Sequence, residues 1–112
     1  MTIRDLEPKL IWEQFDDICQ VPRPSKKEGK IIAWLIEFAK KHNIEYQTDN
    51  TGNVVMRKPA TKGYENRPAV ILQSHMYMVC EKNFSKVFDF ENDPIEPWID
   101  GEWVKAKDTT LG

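Results

Sequence analysis

Apolar positions recur at helical spacing in two segments of the first 41 residues. The first segment predicts a helix from Pro8 to about Cys19. Pro22 and Pro24 follow it, and proline cannot continue a helix. The apolar face of this first helix comprises Leu10, Ile11, Phe15 and Ile18.

The second segment predicts a longer helix that ends at about Lys41. Ser25 and Glu28 have the spacing of a capping box, in which each side chain accepts a hydrogen bond from the other residue's amide. The helix is therefore expected to open at Ser25. Its apolar stripe is typical of a face packed against a core and comprises Ile31, Ile32, Trp34, Leu35, Phe38 and Ala39.

Two hairpins are indicated by short apolar segments on either side of turn residues. Residues 44–48 and 53–57 flank the sequence DNTG, whose residue types tolerate the positive φ angles of tight turns. Residues 97–99 and 102–104 flank Asp100-Gly101, a dipeptide typical of two-residue hairpin turns.

A fully apolar run, residues 69–72, predicts a strand covered on both faces. His75 follows it, at the point where such a strand should end. Open α/β sheets bind ligands outside the carboxyl ends of their strands, so His75 is a candidate ligand. A lone histidine near a strand end is nevertheless more often structural or surface-exposed. The order of elements predicts an α/β fold, with two helices followed by a mixed sheet that is incomplete.

Composition excludes several classes of function. The 112 residues suffice for one domain. The net charge of −2 does not indicate a basic surface that would bind nucleic acid or an anionic membrane. The chain shows no signal peptide and no apolar run near the ~20 residues of a membrane span, so a cytoplasmic location is expected. Cys19 and Cys80 are too few for a disulfide framework and are expected to be reduced, partly buried thiols.

Two other polar features carry weaker signals. His42 falls at a predicted helix C-terminus, where the helix dipole favours histidine, and a surface role is expected. Residues 89–93 form an acidic loop that could bind a cation, but its spacing is not that of an EF-hand and a solvated turn is expected. From the residues alone, the chain is an α/β fragment with one candidate ligand.

Six segments of the sequence resemble those of a known family. They are residues 18–25 (ICQVPRPS), 72–76 (LQSHM), 78–83 (MVCEKN), 93–96 (DPIE), 101–107 (GEWVKAK) and 109–112 (TTLG). The chain resembles the cytosolic aminoacyl-histidine dipeptidases, within the wider group of di-zinc peptidases that includes carboxypeptidase G and the aminoacylases. The resemblance implies that residues 1–112 are the first part of a metallopeptidase catalytic domain. The rest of that domain and the lid or dimerisation domain would be absent.

The resemblance also implies a metal site with two zinc ions, or cobalt or manganese, and dipeptide substrates. His75 matches the metal-binding histidine of the family's His-x-Asp motif. Tyr77 stands at the position of the aspartate, a catalytic-site residue that orients and polarises that histidine. Tyrosine is bulkier and uncharged at neutral pH, so it is a poor substitute for a carboxylate. Loss of such a partner typically costs roughly 10–100-fold in metal affinity or activity.

Further departures weaken the expected site. Phe88-Asp89 replaces a His-Asp pair, and Asp108 replaces a glycine. In the family, the metal-bridging aspartate, the general base and the other ligands follow the segment that ends here at Gly112.

A catalytic zinc needs about three protein ligands, and this chain offers one matched ligand. We therefore expect weak or no metal binding and no peptidase activity. The alternative is a non-catalytic remnant or interaction fragment of a decayed dipeptidase gene, with self-association through unpaired sheet edges.

Overall fold

The computed structural model describes all of residues 1–112 and contains two α-helices and two β-hairpins. A short 3-10 helix, Ile3–Asp5, precedes them. The α-helices are α1 (Lys9–Cys19) and α2 (Gly29–Lys41), and the strands are β1 (Glu45–Thr48), β2 (Val54–Arg57), β3 (Pro97–Asp100) and β4 (Trp103–Ala106).

Helix α2 packs against the β1–β2 hairpin. Ile31 and Ala39 are buried on its inner face, which confirms the predicted apolar stripe. The hairpin turn follows the predicted DNTG sequence and pairs Thr48 with Val54. Gly52 in this turn has a φ of +94°, and a Cβ there would lie 2.9 Å from Cδ1 of Ile32.

The predicted capping box at the start of α2 is wrong. The helix begins at Gly29 with Glu28 as its N-cap, and no side chain caps it. Instead, the Glu28 carboxylate accepts the amide of Lys26 at 2.9 Å. The Ser25 amide donates to the carbonyl of Met78, 3.3 Å away. Backbone pairing with a distant segment thus takes Ser25 out of the helix.

Helix α1 begins close to the predicted position, with Pro8 as its N-cap. Cys19 is fully buried at its C-terminal end, in a cluster with Met78 and Ile95. The apolar face predicted at the other end is not covered, because Leu10 and Ile11 are 68% and 63% exposed.

The second hairpin, β3–β4, forms with its turn one residue later than predicted. Asp100 pairs with Trp103, so Gly101 and Glu102 are the central turn residues. Gly101 has a φ of +61° and Glu102 does not have a positive φ, which is the pattern of a type II′ turn. The predicted turn began at Asp100, which instead closes the ladder.

The predicted buried strand at residues 69–72 is wrong. The run has no strand pairing, and Val70, Ile71 and Leu72 are 83%, 89% and 93% exposed. A strand covered on both faces needs neighbouring strands and two covering layers. None of the four strands present pairs with this run, and every residue from 57 to 75 is exposed.

The α/β class is confirmed. The strands predicted as one mixed sheet form two separate antiparallel pairs, β1–β2 and β3–β4. Parallel pairing is confined to one isolated bridge, between Pro24 and Met78. No helix in the structure combines the length and the apolar character needed to cross a membrane.

Candidate functional site

Met78 connects two of the segments that carry the resemblance, residues 78–83 and residues 18–25. Its amide donates to the carbonyl of Arg23 at 2.9 Å, and its carbonyl accepts the Ser25 amide at 3.3 Å. These two bonds form the parallel bridge between Pro24 and Met78. The side chain of Met78 is buried beside Cys19 and Ile95. The segment that contains His75 is thereby fixed to the chain that follows α1.

Residues 81–83 pair in turn with residues 108–110. The Thr110 amide donates to the carbonyl of Glu81 at 2.8 Å, and the Asn83 amide donates to the carbonyl of Asp108 at 2.9 Å. The Asp108 carboxylate also accepts the side-chain amide of Asn83 at 2.7 Å. Asp108 has a φ of +60°, a region in which glycine is preferred. The backbone at Asp108 thus has a conformation that suits glycine, the residue that the resemblance implies at this position.

Arg23 and the two cysteines lie where these segments meet. Arg23 is buried, donates from Nη1 to the carbonyl of Ile18 at 3.1 Å, and forms no ion pair. Burial lowers the pKa of its guanidinium. Burial also raises the pKa of Cys19 to about 11, and raises that of Cys80. Both cysteines are free, as expected for inert, partly buried thiols. Sequence reasoning did not identify Arg23, whose only signal is its place between two prolines.

His75 lies three residues before this bridge and is exposed. Its Nδ1 atom is 2.8 Å from the carbonyl oxygen of Tyr77. The two rings stack, with their centroids 4.6 Å apart and their planes 27° apart. The structure therefore brings together the two site residues predicted from the sequence. The contact to His75 is made by a carbonyl and a ring and not by a carboxylate.

The residues present do not by themselves compose a metal site. No group of three or more histidine, cysteine, aspartate or glutamate side chains lies close enough to hold a metal ion. A catalytic zinc takes about three protein ligands. His75 is thus a single candidate ligand, and no chemical step can be assigned to a metal from this chain's geometry.

The acidic loop has the geometry of a turn. The Asp89 carboxylate accepts the side-chain amide of Asn92 at 2.7 Å and the backbone amide of Glu91 at 2.9 Å. These hydrogen bonds lower the pKa of Asp89. Lys27, just before α2, forms an ion pair with Glu91. The loop is thereby tied to the start of α2 through surface charges.

His42 is the exposed C-cap of α2 and contacts Phe38 in a tilted arrangement, with the ring centroids 4.4 Å apart and the planes at 44°. This position agrees with the surface role predicted for it. His42 and His75 are the two histidines of the chain. They differ in surroundings, because Nδ1 of His75 has a carbonyl partner.

Comparison with known proteins shows similarity to a curated protein and to a solved structure. No protein-family model matches the chain. The chain is 46% identical over 110 residues to the cytosol non-specific dipeptidase of Escherichia coli (strain K12), a match that covers 98% of this chain and 23% of that protein. The crystal structure of aminoacylhistidine dipeptidase from Vibrio alginolyticus is similar with a TM-score of 0.95 and 47% identity.

The structural match covers 98% of this chain and 22% of the Vibrio protein. The chain therefore spans less than a quarter of the length of either relative. The resemblance to the aminoacyl-histidine dipeptidases is confirmed over nearly the whole chain, which corresponds to one segment of such an enzyme and is consistent with an N-terminal fragment.

Proposed function

We propose that this chain forms part of the catalytic domain of a cytoplasmic, metal-dependent dipeptidase that acts on Xaa-His and other short dipeptides. The observation that carries the proposal is the 46% identity to a cytosol dipeptidase over 98% of the chain. His75 would supply one metal ligand, and Tyr77 would stand beside it in place of a carboxylate. Two zinc ions, or cobalt or manganese, would be the metals of the complete site.

The 112-residue polypeptide alone is proposed to be inactive. Its one matched ligand is exposed, and its remaining histidine, His42, lies at the far end of α2. A single imidazole without a carboxylate partner is expected to hold a metal weakly. The functional proposal therefore concerns the segment as part of a larger site.

Two measurements on the isolated chain test its inactivity. Protein purified without a histidine tag is assayed on Xaa-His dipeptides with added zinc, cobalt or manganese, and its metal content is measured by mass spectrometry. We expect no turnover and a metal stoichiometry near zero. Turnover that survives repurification would contradict this proposal.

A chimera tests the larger role. Residues of this chain replace the aligned segment of the Escherichia coli dipeptidase, and soluble, cooperatively folded chimera is assayed. We expect activity roughly 10–100-fold below that of the parent enzyme, because the histidine lacks its carboxylate partner. Tyr77→Asp in the chimera should recover activity. Tyr77→Asn should not, because asparagine has nearly the shape of aspartate but carries no charge. Equal activity of all three folded chimeras would overturn the role given to position 77.

A second candidate function is that of a non-catalytic interaction fragment. Val70, Ile71 and Leu72 favour it, because three consecutive exposed apolar residues leave both faces of an extended segment uncovered. Another polypeptide, or a second copy of the chain, could cover this segment by strand addition.

Sedimentation of paired variants tests the second candidate. Ile71→Lys places a charge in the exposed run, and Val55→Lys places one on β2 at another exposed position. We expect the wild type and Val55→Lys to associate and Ile71→Lys to remain monomeric. A wild-type chain that is monomeric at all concentrations would remove self-association as a role for this run.

A further inference from the structure

Tyr77 contacts His75 twice, once through its backbone and once through its ring. The carbonyl oxygen of Tyr77 is 2.8 Å from Nδ1 of His75, which is a short hydrogen-bond distance. The phenol ring stacks on the imidazole at 4.6 Å between centroids. Either contact alone would restrict the imidazole, and together they fix its position and its rotation.

The carbonyl contact determines which nitrogen carries the hydrogen. A carbonyl oxygen only accepts hydrogen bonds, so Nδ1 of His75 must be the donor. In a neutral imidazole one nitrogen carries the hydrogen and the other keeps its lone pair. Nε2 of His75 is therefore the nitrogen left free to accept a hydrogen bond or to bind a cation.

We propose that Tyr77 is a positioning residue that holds His75 in its Nδ1–H tautomer with Nε2 free. Histidines that bind metals commonly donate their other N–H to a carboxylate or a backbone carbonyl, which fixes the tautomer and the ring orientation. The substitution of tyrosine for the family's aspartate thus changes the nature of the partner and keeps its geometric effect. This inference rests on the proposed function only in treating His75 as a ligand.

The stacked ring is compatible with an accessible Nε2. The lone pair of Nε2 lies in the plane of the imidazole, and the phenol lies against the face of that ring, with 27° between the planes. What Tyr77 cannot supply is negative charge. The carbonyl contact therefore orients His75 without bringing a charge to it.

Nitrogen-15 spectroscopy of the histidine rings in the full chain tests the proposal without metal. Spectra are recorded at a pH at which imidazole is neutral. An exposed imidazole in water favours the Nε2–H form, and His42 serves as the internal reference. We expect His75 to show the opposite pattern, with the hydrogen on Nδ1. A His75 pattern like that of His42 would overturn the proposal.

Two variants separate the ring from a general effect on folding. Tyr77→Phe keeps the carbonyl and the ring, so the Nδ1–H pattern should persist. Tyr77→Gly removes the ring and frees the backbone, so His75 should move toward the pattern of His42 while amide signals of α2 and both hairpins stay unchanged. An unchanged His75 pattern in Tyr77→Gly would overturn the role of Tyr77. If that variant does not fold, the wild-type spectrum still decides the tautomer.

These spectra are independent of the proposed dipeptidase function. If His75 has its hydrogen on Nδ1 but the chimera is inactive, the positioning role is supported and the dipeptidase proposal is contradicted. If His75 has its hydrogen on Nε2 but the chimera is active, the dipeptidase proposal is supported and the positioning role is contradicted.

Discussion

Gly52 occupies a turn position that no other residue fits well. Its φ is +94°, and an added Cβ would lie 2.9 Å from Cδ1 of Ile32 on α2. A non-glycine residue in the left-handed region costs roughly 1–2 kcal/mol, before any steric conflict is added. We expect Gly52→Ala to lower the free energy of unfolding by at least this amount, as measured by urea denaturation.

Gly63 provides the matched control for Gly52. Its φ of +92° is nearly the same, but nothing lies within 4 Å of an added Cβ. Gly63→Ala should therefore show the backbone effect alone, at most about 1–2 kcal/mol. Equal losses at the two positions would mean that Ile32 moves aside without cost.

Asp49 organises the same turn through its carboxylate. It accepts the side chain of Asn53 at 2.7 Å and the amides of Thr51 and Asn53 at 3.0 and 2.9 Å. The location of this turn could be predicted from its residue types. Its hydrogen bonds could not be predicted, because several turn types are compatible with the same four residues.

The pH dependence of the Asp49 contribution follows from its hydrogen bonds. The bonds from the side chains of Asn53 and Thr51 hold the pKa of the folded carboxyl well below its usual range. A depressed folded pKa contributes stability above the unfolded pKa of about 3.9, and that contribution is lost as the pH falls through the folded pKa. The melting temperature of wild type should exceed that of Asp49→Ala at neutral pH, and the gap should narrow below about pH 4. A gap that widened in acid would contradict this sign.

At the scale of elements, local sequence rules held where an element has its packing partner within the chain. The apolar stripe of α2 was predicted correctly because β1 and β2 cover it. The capping box at Ser25 failed, because the amide of Ser25 bonds to the carbonyl of Met78, far along the sequence. The burial predicted for residues 69–72 is wrong, because no strand pairs with this run and Val70, Ile71 and Leu72 are exposed. The predicted apolar face of α1 is exposed at Leu10 and Ile11, whereas Phe15 packs against the buried cluster around Cys19.

Met78 is the residue on which the joining of these elements depends most. It is buried against Cys19 and Ile95. Met78→Ala should cost about 2–5 kcal/mol, the usual range for removing a buried side chain of this size. Met76→Ala, at a half-buried position two residues earlier, should cost less than half as much. The comparison is made by denaturant unfolding, and equal losses would show that the cluster around Cys19 does not join the two segments.

The candidate site was predictable only in part. His75 was a candidate from its place after the apolar run, the resemblance added Tyr77, and the structure places the two residues in contact. The contact through the Tyr77 carbonyl could not be predicted, because it depends on backbone geometry and not on residue type. Arg23 was missed because its place between two prolines does not indicate that its side chain is buried.

At the scale of the whole molecule, the chain is expanded for its length. Its radius of gyration is 16.4 Å, whereas a domain of about 100 residues is expected to have a value of about 13 Å. Only 7 of the 112 residues are buried, so little apolar surface opposes the entropy of the unfolded chain.

We expect this small core to give a marginal and poorly cooperative fold. Thermal unfolding followed by circular dichroism should be broad and accompanied by association. A sharp, reversible transition of a monomer would contradict this expectation. The urea slope of unfolding should also be small for the chain's length, because that slope scales with the surface exposed on unfolding.

The exposed stretch between β2 and the Met78 bridge also determines how the chain would be cut. Every residue from 57 to 75 is exposed, and trypsin can cleave within this stretch after Arg57 and Lys62. Lys58 and Arg67 are each followed by proline, which blocks cleavage. Limited trypsin digestion should therefore nick here first. The two pieces should stay together after the nick, held by the bonds of Met78 to Arg23 and Ser25 and by the packing of Ile95 on Cys19. A severed chain of this kind would run as two bands in denaturing gels and as one species in solution.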